Sequence, residues 1–276
     1  MKELLPEDYK EPACPFCKDF YTKGEPITAI PLSRVMEKLD EHLGKNDYAA
    51  AERHLFYWLA EAEAGHDGRG GLSLHNELMG HFRKQGKEEE ARAHAEKALA
   101  LLSALALEDS VTAGTTYINA ATVYKAFGDA QAALPLYRKA ESLYSAHLPA
   151  GDERLGGLYN NMGLALVDLT AYREAEEAYR RALSIMSEIP GREPECAVTH
   201  LNMATAAEEE LGMEDAESVI EAHLAKAEKL LETPGLPRNG YYAFVAEKCA
   251  SVFGYYGHFA YAEELKARAE AIYAGA

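Results

Sequence analysis

Small and apolar residues recur along the chain at helical spacing. Ala133/Tyr137/Ala140, Ala175/Tyr179/Ala182 and Ala216/Ile220/His223 each stand at i, i+4 and i+7, which makes one stripe on a helix and one face to bury. The stripe recurs upstream at Ala91/Ala95/Ala98 and Ala51/Leu55/Trp58, and downstream at Ala262/Lys266/Ala269. First members of the six stripes lie 40, 42, 42, 41 and 46 residues apart. Between stripes, a second pattern sets a small residue three positions before a larger one: Ala121/Tyr124, Gly163/Leu166 and Ala250/Phe253. Such a pair offers a hole and a knob on one helix face. The pattern predicts an all-α chain of six helical hairpins, at about 32–64, 72–106, 112–147, 154–189, 195–233 and 240–274. An arm over residues 1–31 precedes them. A period near 42 marks a stacked array rather than two unrelated domains.

The turns agree with that reading. Gln85-Gly86-Lys87 and Phe127-Gly128-Asp129 join helix to helix, with Gly supplying the left-handed stop. Longer Pro-bearing loops separate the hairpins at 148–152, 189–191 and 234–237. Pro135 breaks the rule, because it falls inside a second helix and should kink it.

An asparagine register accompanies the stripes. Tyr117-Ile118-Asn119-Ala120-Ala121, Tyr159-Asn160-Asn161-Met162-Gly163 and His200-Leu201-Asn202-Met203-Ala204 align, with the asparagines 42 and 41 positions apart. A small residue in the first helix, a Gly turn and Ala-x3-aromatic-x2-Ala in the second together resemble the tetratricopeptide repeat. The clearest copy runs from Tyr159 to Met186, and the period is similar to that of kinesin light chain-type repeats. The resemblance covers roughly residues 32–274. It implies a right-handed superhelical solenoid whose first helices line a concave groove. Asn119, Asn161 and Asn202 would then point into the groove, with Asn76 and Asn160 one position earlier on the same side. An amide side chain both donates and accepts, so stacked asparagines suit an extended peptide backbone. Thr122, Lys125, Arg83 and Thr205 would set side-chain preference. The alternative for each Asn is that it satisfies a neighbouring helix. Arg83, Lys84 and Lys125 are too few for a clamp on acidic tails, whereas Asp168, Glu208, Glu209 and Glu210 would suit a basic or neutral peptide.

Composition narrows the class. Forty-five acidic against 28 basic residues give a formal charge of −17, which repels phosphate backbones and anionic membranes. Nucleic acid and lipid surfaces are therefore not expected partners. The apolar run 98–107 is about half a membrane span, and the first residues lack a basic-then-apolar order, so a cytoplasmic location is expected. No H-E-x-x-H, G-x-S-x-G or phosphate-loop string is present, and the chain reads as non-enzymatic. His75 and His200 hold similar places in their units.

Cys14-Pro15-Phe16-Cys17 in the arm resembles a glutaredoxin-type pair. Thirty Pro-rich residues cannot build the α/β domain which that chemistry needs. Alternatively Cys14 and Cys17 are half of a zinc site, completed by the arm reaching Cys249. No other cofactor is expected. Tyr241, Tyr242, Phe244, Tyr255, Tyr256, Phe259 and Tyr261 crowd the last unit, either capping it or offering a surface for a partner or for a homodimer. The expected function is a scaffold or adaptor that holds a protein or an extended peptide in its groove. A ligand- or peptide-sensing regulator acting through protein contacts is the alternative, followed by a thiol- or zinc-dependent activity at Cys14/Cys17.

Overall fold

The computed structural model describes residues 27–45 and 47–275. The Cys14/Cys17 pair lies outside the described residues. Among the described residues the chain is all α, in twelve helices. It divides into two compact units, Met1–Asp129 and Ala130–Ala276.

The first unit holds α1 (Leu32–Leu43), α2 (Tyr48–Ala64), α3 (Gly68–Lys84), α4 (Glu88–Ala104) and α5 (Val111–Ala126). Here α1 packs on α2, α3 on α4, and α3 also on α5, so the first helix of one hairpin meets the next first helix. The second unit holds α6 (Ala130–His147), α7 (Glu153–Asp168), α8 (Tyr172–Met186), α9 (Glu193–Leu211), α10 (Met213–Leu231), α11 (Gly240–Tyr255) and α12 (Phe259–Tyr273). Its hairpins are α7/α8, α9/α10 and α11/α12, with α7 against α9 and α9 against α11. That is the helix pairing the stripes predict.

The stripes are the core. Ala91, Ala95 and Ala98, Ala133 and Ala140, Ala175 and Ala182, and Ala216 and Ile220 are all buried, with Tyr137 and Tyr179 as large knobs among them. Full burial of a side chain of that size contributes roughly 1.5–3 kcal/mol. The hole for Tyr179 is Gly163 on α7, where a Cβ would lie 2.5 Å from the ring edge. Lys266, by contrast, is exposed on the outer face of α12. α6 runs through Pro135 as a single helix.

The short turns take the backbone their glycines allow. Gly86, Gly128, Gly212 and Gly257 follow α3, α5, α9 and α11 with φ of +71°, +82°, +83° and +85°. After α7 the same place belongs to Thr170, at φ +57°, where a β-branched residue is strained. The segment before α1 is held by Asp67 at the start of α3. Its carboxylate accepts from the Ile30 N–H at 3.0 Å and the Gly70 N–H at 2.9 Å.

Candidate functional site on the asparagine face

The first helices bring the asparagines into contact across neighbouring repeats. In the first unit Asn119 Nδ2 of α5 donates to Asn76 Oδ1 of α3 at 2.9 Å. Asn76 Nδ2 in turn donates to Thr116 Oγ1 of α5 at 3.1 Å and to its own helix at Leu72 O. In the second unit Asn202 Nδ2 of α9 donates to Asn160 Oδ1 of α7 at 3.0 Å, and Thr199 Oγ1 shares its one proton between the same oxygen at 3.1 Å and Glu195 O of its own helix at 2.9 Å. The two locks are copies in register: an Asn on one helix faces an Asn on the next, with a buried Thr three residues before the second Asn. A hydrogen-bonded Asn–Asn–Thr cluster satisfies amides that helix packing half-buries, and unsatisfied ones would cost about 1–3 kcal/mol each.

Hydrogen-bond capacity then sorts the five asparagines. Asn76 has both N–H groups engaged. Asn119 and Asn202 each commit one N–H to the lock, which leaves a carbonyl and a second N–H. Asn160 accepts twice at its carbonyl and keeps its two N–H donors. Asn161 stands where Asn119 and Asn202 stand, half-buried on α7. Its counterpart one repeat earlier and one position before is Ile118, which has no side-chain acceptor. Among the described residues its side-chain amide makes no hydrogen bond.

The polar residues expected around them lie on the same helices. Thr122 Oγ1 donates to Ile118 O and Thr205 Oγ1 to Leu201 O, each within its own helix. Lys125 and Arg83 are half-buried near the ends of α5 and α3. Glu77 occupies the asparagine position on α3. Its side chain is exposed, yet the protein around it raises the carboxyl above the usual range, with Lys84 pulling the other way.

Two histidine pairs join first helices to second helices, and of their second members the sequence pattern singles out His223 but not His94. His75 Nδ1 of α3 lies 2.7 Å from His94 Nδ1 of α4, and His200 Nδ1 of α9 lies 3.0 Å from His223 Nδ1 of α10. Ring separations are 5.0 and 5.2 Å, and interplanar angles 40° and 38°. In each pair one imidazole donates and the other accepts, so the hydrogen bond requires at least one neutral ring. Burial first, and then the neighbouring His and Lys, pushes His75 and His200 down to about 4. His94 also falls to about 4, and His223 in the same direction, through burial and then Lys97 and Lys226 respectively.

The thiols and the tyrosines are used internally. Cys249 is buried in the core of the last two hairpins, and burial pushes its thiol up to about 12. No group of three or more metal-ligating side chains occurs among the described residues. Tyr255 and Tyr256 donate to the two oxygens of Glu208 at 2.7 Å each. Tyr261 donates to Glu232, which also pairs with Arg268. Glu208 is thus occupied within the fold. The rings of Tyr241, Phe244, Tyr255, Phe259 and Tyr273 remain exposed on α11 and α12. No described helix is long and apolar enough to cross a membrane.

Comparison with known proteins agrees with this architecture. Tetratricopeptide repeat models match residues 72–146 and 157–186. No curated protein sequence matches the chain. The crystal structure of BtubC (BKLC) from P. vanneervenii superposes with a TM-score of 0.63 at 19% identity, over 76% of this chain and 84% of that one. A kinesin light chain-like protein of nearly identical TPR-like repeats from Podosopora anserina, in a singly substituted form, gives 0.52 at 18% identity, over 76% and 97%. At such identity the likeness is one of fold.

Proposed function

Because the chain is a tetratricopeptide-repeat protein, a fold that generally serves as a protein-interaction scaffold, we propose that it is a non-enzymatic adaptor. It holds an extended peptide or a partner's tail along the asparagine face. The observation that carries this reading is the unspent amide of Asn161 beside the two open N–H donors of Asn160. A half-buried amide with no internal partner is poorly placed for folding and well placed for a ligand backbone. Asn119 and Asn202 add one carbonyl and one N–H apiece. Arg83, Thr122, Lys125 and Thr205 line the approach and select side chains. The exposed acids Asp168, Glu209 and Glu210 favour a basic or neutral peptide over an acidic one. The mechanism is equilibrium binding, with no bond made or broken, and a cytoplasmic setting fits it.

The test is selection from a random extended-peptide library on the full chain, followed by titration of the enriched peptides. Asn119→Ala/Asn161→Ala should weaken binding tenfold or more while leaving helicity unchanged. Equal binding by both forms, or no enrichment over a control helical protein, overturns the proposal.

A further inference from the structure

The same buried device occurs twice, and peptide binding makes no use of it. His75/His94 and His200/His223 are Nδ1-to-Nδ1 imidazole pairs of matching separation and tilt, each joining the first helix of a hairpin to its second. In the α7/α8 hairpin the position of His75 and His200 belongs to Tyr159, which cannot become a cation. Each pair works as a strut only while at least one ring is neutral, since a second proton removes the acceptor and sets two cations face to face.

We propose that the two imidazole pairs are an acid-sensitive latch, closing the α3/α4 and α9/α10 hairpins when neutral and opening them when doubly protonated. The surroundings of the two pairs differ, but both oppose the doubly protonated state. His94 is stacked on Phe82, with Phe56 of α2 at its edge. Among the described residues the one charge acting on that pair from outside is Lys97. Apolar walls and a lysine oppose protonation. The second pair is bordered by carboxylates as well as ammoniums: Glu176 of α8 acts on His223, Glu193 of α9 shares a cleft with His200, and Lys226 and Lys229 of α10 share another. Both pairs release as pH falls below 6.5, because an opened imidazole takes its proton there while the closed pair opposes the second proton. His75 immediately precedes Asn76, and His200 lies two residues before Asn202. Release would therefore disturb the inter-repeat locks, and, on the peptide-binding reading, discharge the ligand. The latch itself stands without that reading.

Native-state hydrogen exchange of the full, ligand-free chain at pH 7.5 and 5.0 tests the latch, expressed as protection factors so that the intrinsic pH dependence cancels. Each imidazole that gains its proton on opening shifts the opening equilibrium by roughly 30-fold over this interval. Amides of α9/α10 and of α3/α4 should therefore each lose at least tenfold more protection than those of α7/α8. His200→Tyr/His223→Phe should abolish the excess loss in α9/α10 and leave α3/α4 as it was. Should that variant not fold, a nitrogen-15 titration of the intact protein decides: the four imidazoles should titrate well below 6.5, pairwise. Titration of all four near 6.5, or uniform loss of protection across the hairpins, overturns the latch. Neither result bears on whether the asparagine face binds peptides.

Discussion

The α3/α5 lock and the α7/α9 lock use the same residue types at the same register and allocate them differently. In the first, Asn76 donates to Thr116 and nothing of its amide donor capacity is left. In the second, Asn160 turns its carbonyl to Asn202 and Thr199, so both of its N–H groups stay open beside the unbonded Asn161. The amide of one lock meets its Thr with an N–H and that of the other with its carbonyl, and only the second leaves donors on the surface. On the proposed peptide-binding reading, the open amides concentrate where a repeat departs from its neighbours, on α7.

Acid should produce the largest change. An unfolded imidazole takes its proton near 6.5, whereas His75, His94 and His200 take theirs near 4. Between those values the unfolded chain binds more protons. Stability is therefore full above pH 6.5 and declines as pH falls toward 4, by up to about 3 kcal/mol per imidazole fully titrated. Urea melts from pH 7.5 to 4.5 check both sign and window.

Packing around α7 gives the next largest effects. Gly163→Ala forces a Cβ to within 2.5 Å of the Tyr179 ring and should cost about 2–3 kcal/mol. Gly157→Ala, in the same helix with nothing within 4 Å of its Cβ, should instead gain roughly 0.5–1 kcal/mol. Tyr179→Phe removes a buried hydroxyl that has no partner among the described residues, and should be neutral or stabilising by about 1 kcal/mol. Thermal unfolding separates the three.

Smaller effects discriminate between the locks. Thr116→Val strips the acceptor from a half-buried Asn76 N–H and should cost about 1–2 kcal/mol. Thr199→Val leaves Asn160 Oδ1 still bonded to Asn202 and should cost about 1 kcal/mol or less. Equal losses would mean the locks are equivalent after all. Thr170→Gly should raise stability by roughly 0.5–1 kcal/mol, by relieving the left-handed backbone that its neighbours fill with Gly.

Most of the architecture is written in the sequence, because a 42-residue period and Ala stripes leave few ways to bury one face per helix. The asparagine register is equally legible. Which asparagines are engaged is not, since that depends on how far one repeat slides along the next. A signal is nonetheless present: Thr116 and Thr199 each stand three residues before a registered Asn, and Ile118 breaks the series at the position that would answer Asn161. The histidine pairs are half visible. His75 and His200 align, but their partners lie 19 and 23 residues on, one about a helical turn further into its second helix than the other, so they show no common motif. Spacing says nothing of burial, and so does not tell that Cys249 lies in the core of the last two hairpins.

That α7 carries the open amides is tested most directly by the affinity of one library-selected peptide for Asn161→Ala and for Asn76→Ala, with the unfolding midpoint of each. Asn161→Ala should bind tenfold or more weakly at an unchanged midpoint, and Asn76→Ala should lower the midpoint while an equally folded sample still binds. Loss of stability at Asn161, or unchanged affinity there, would contradict it.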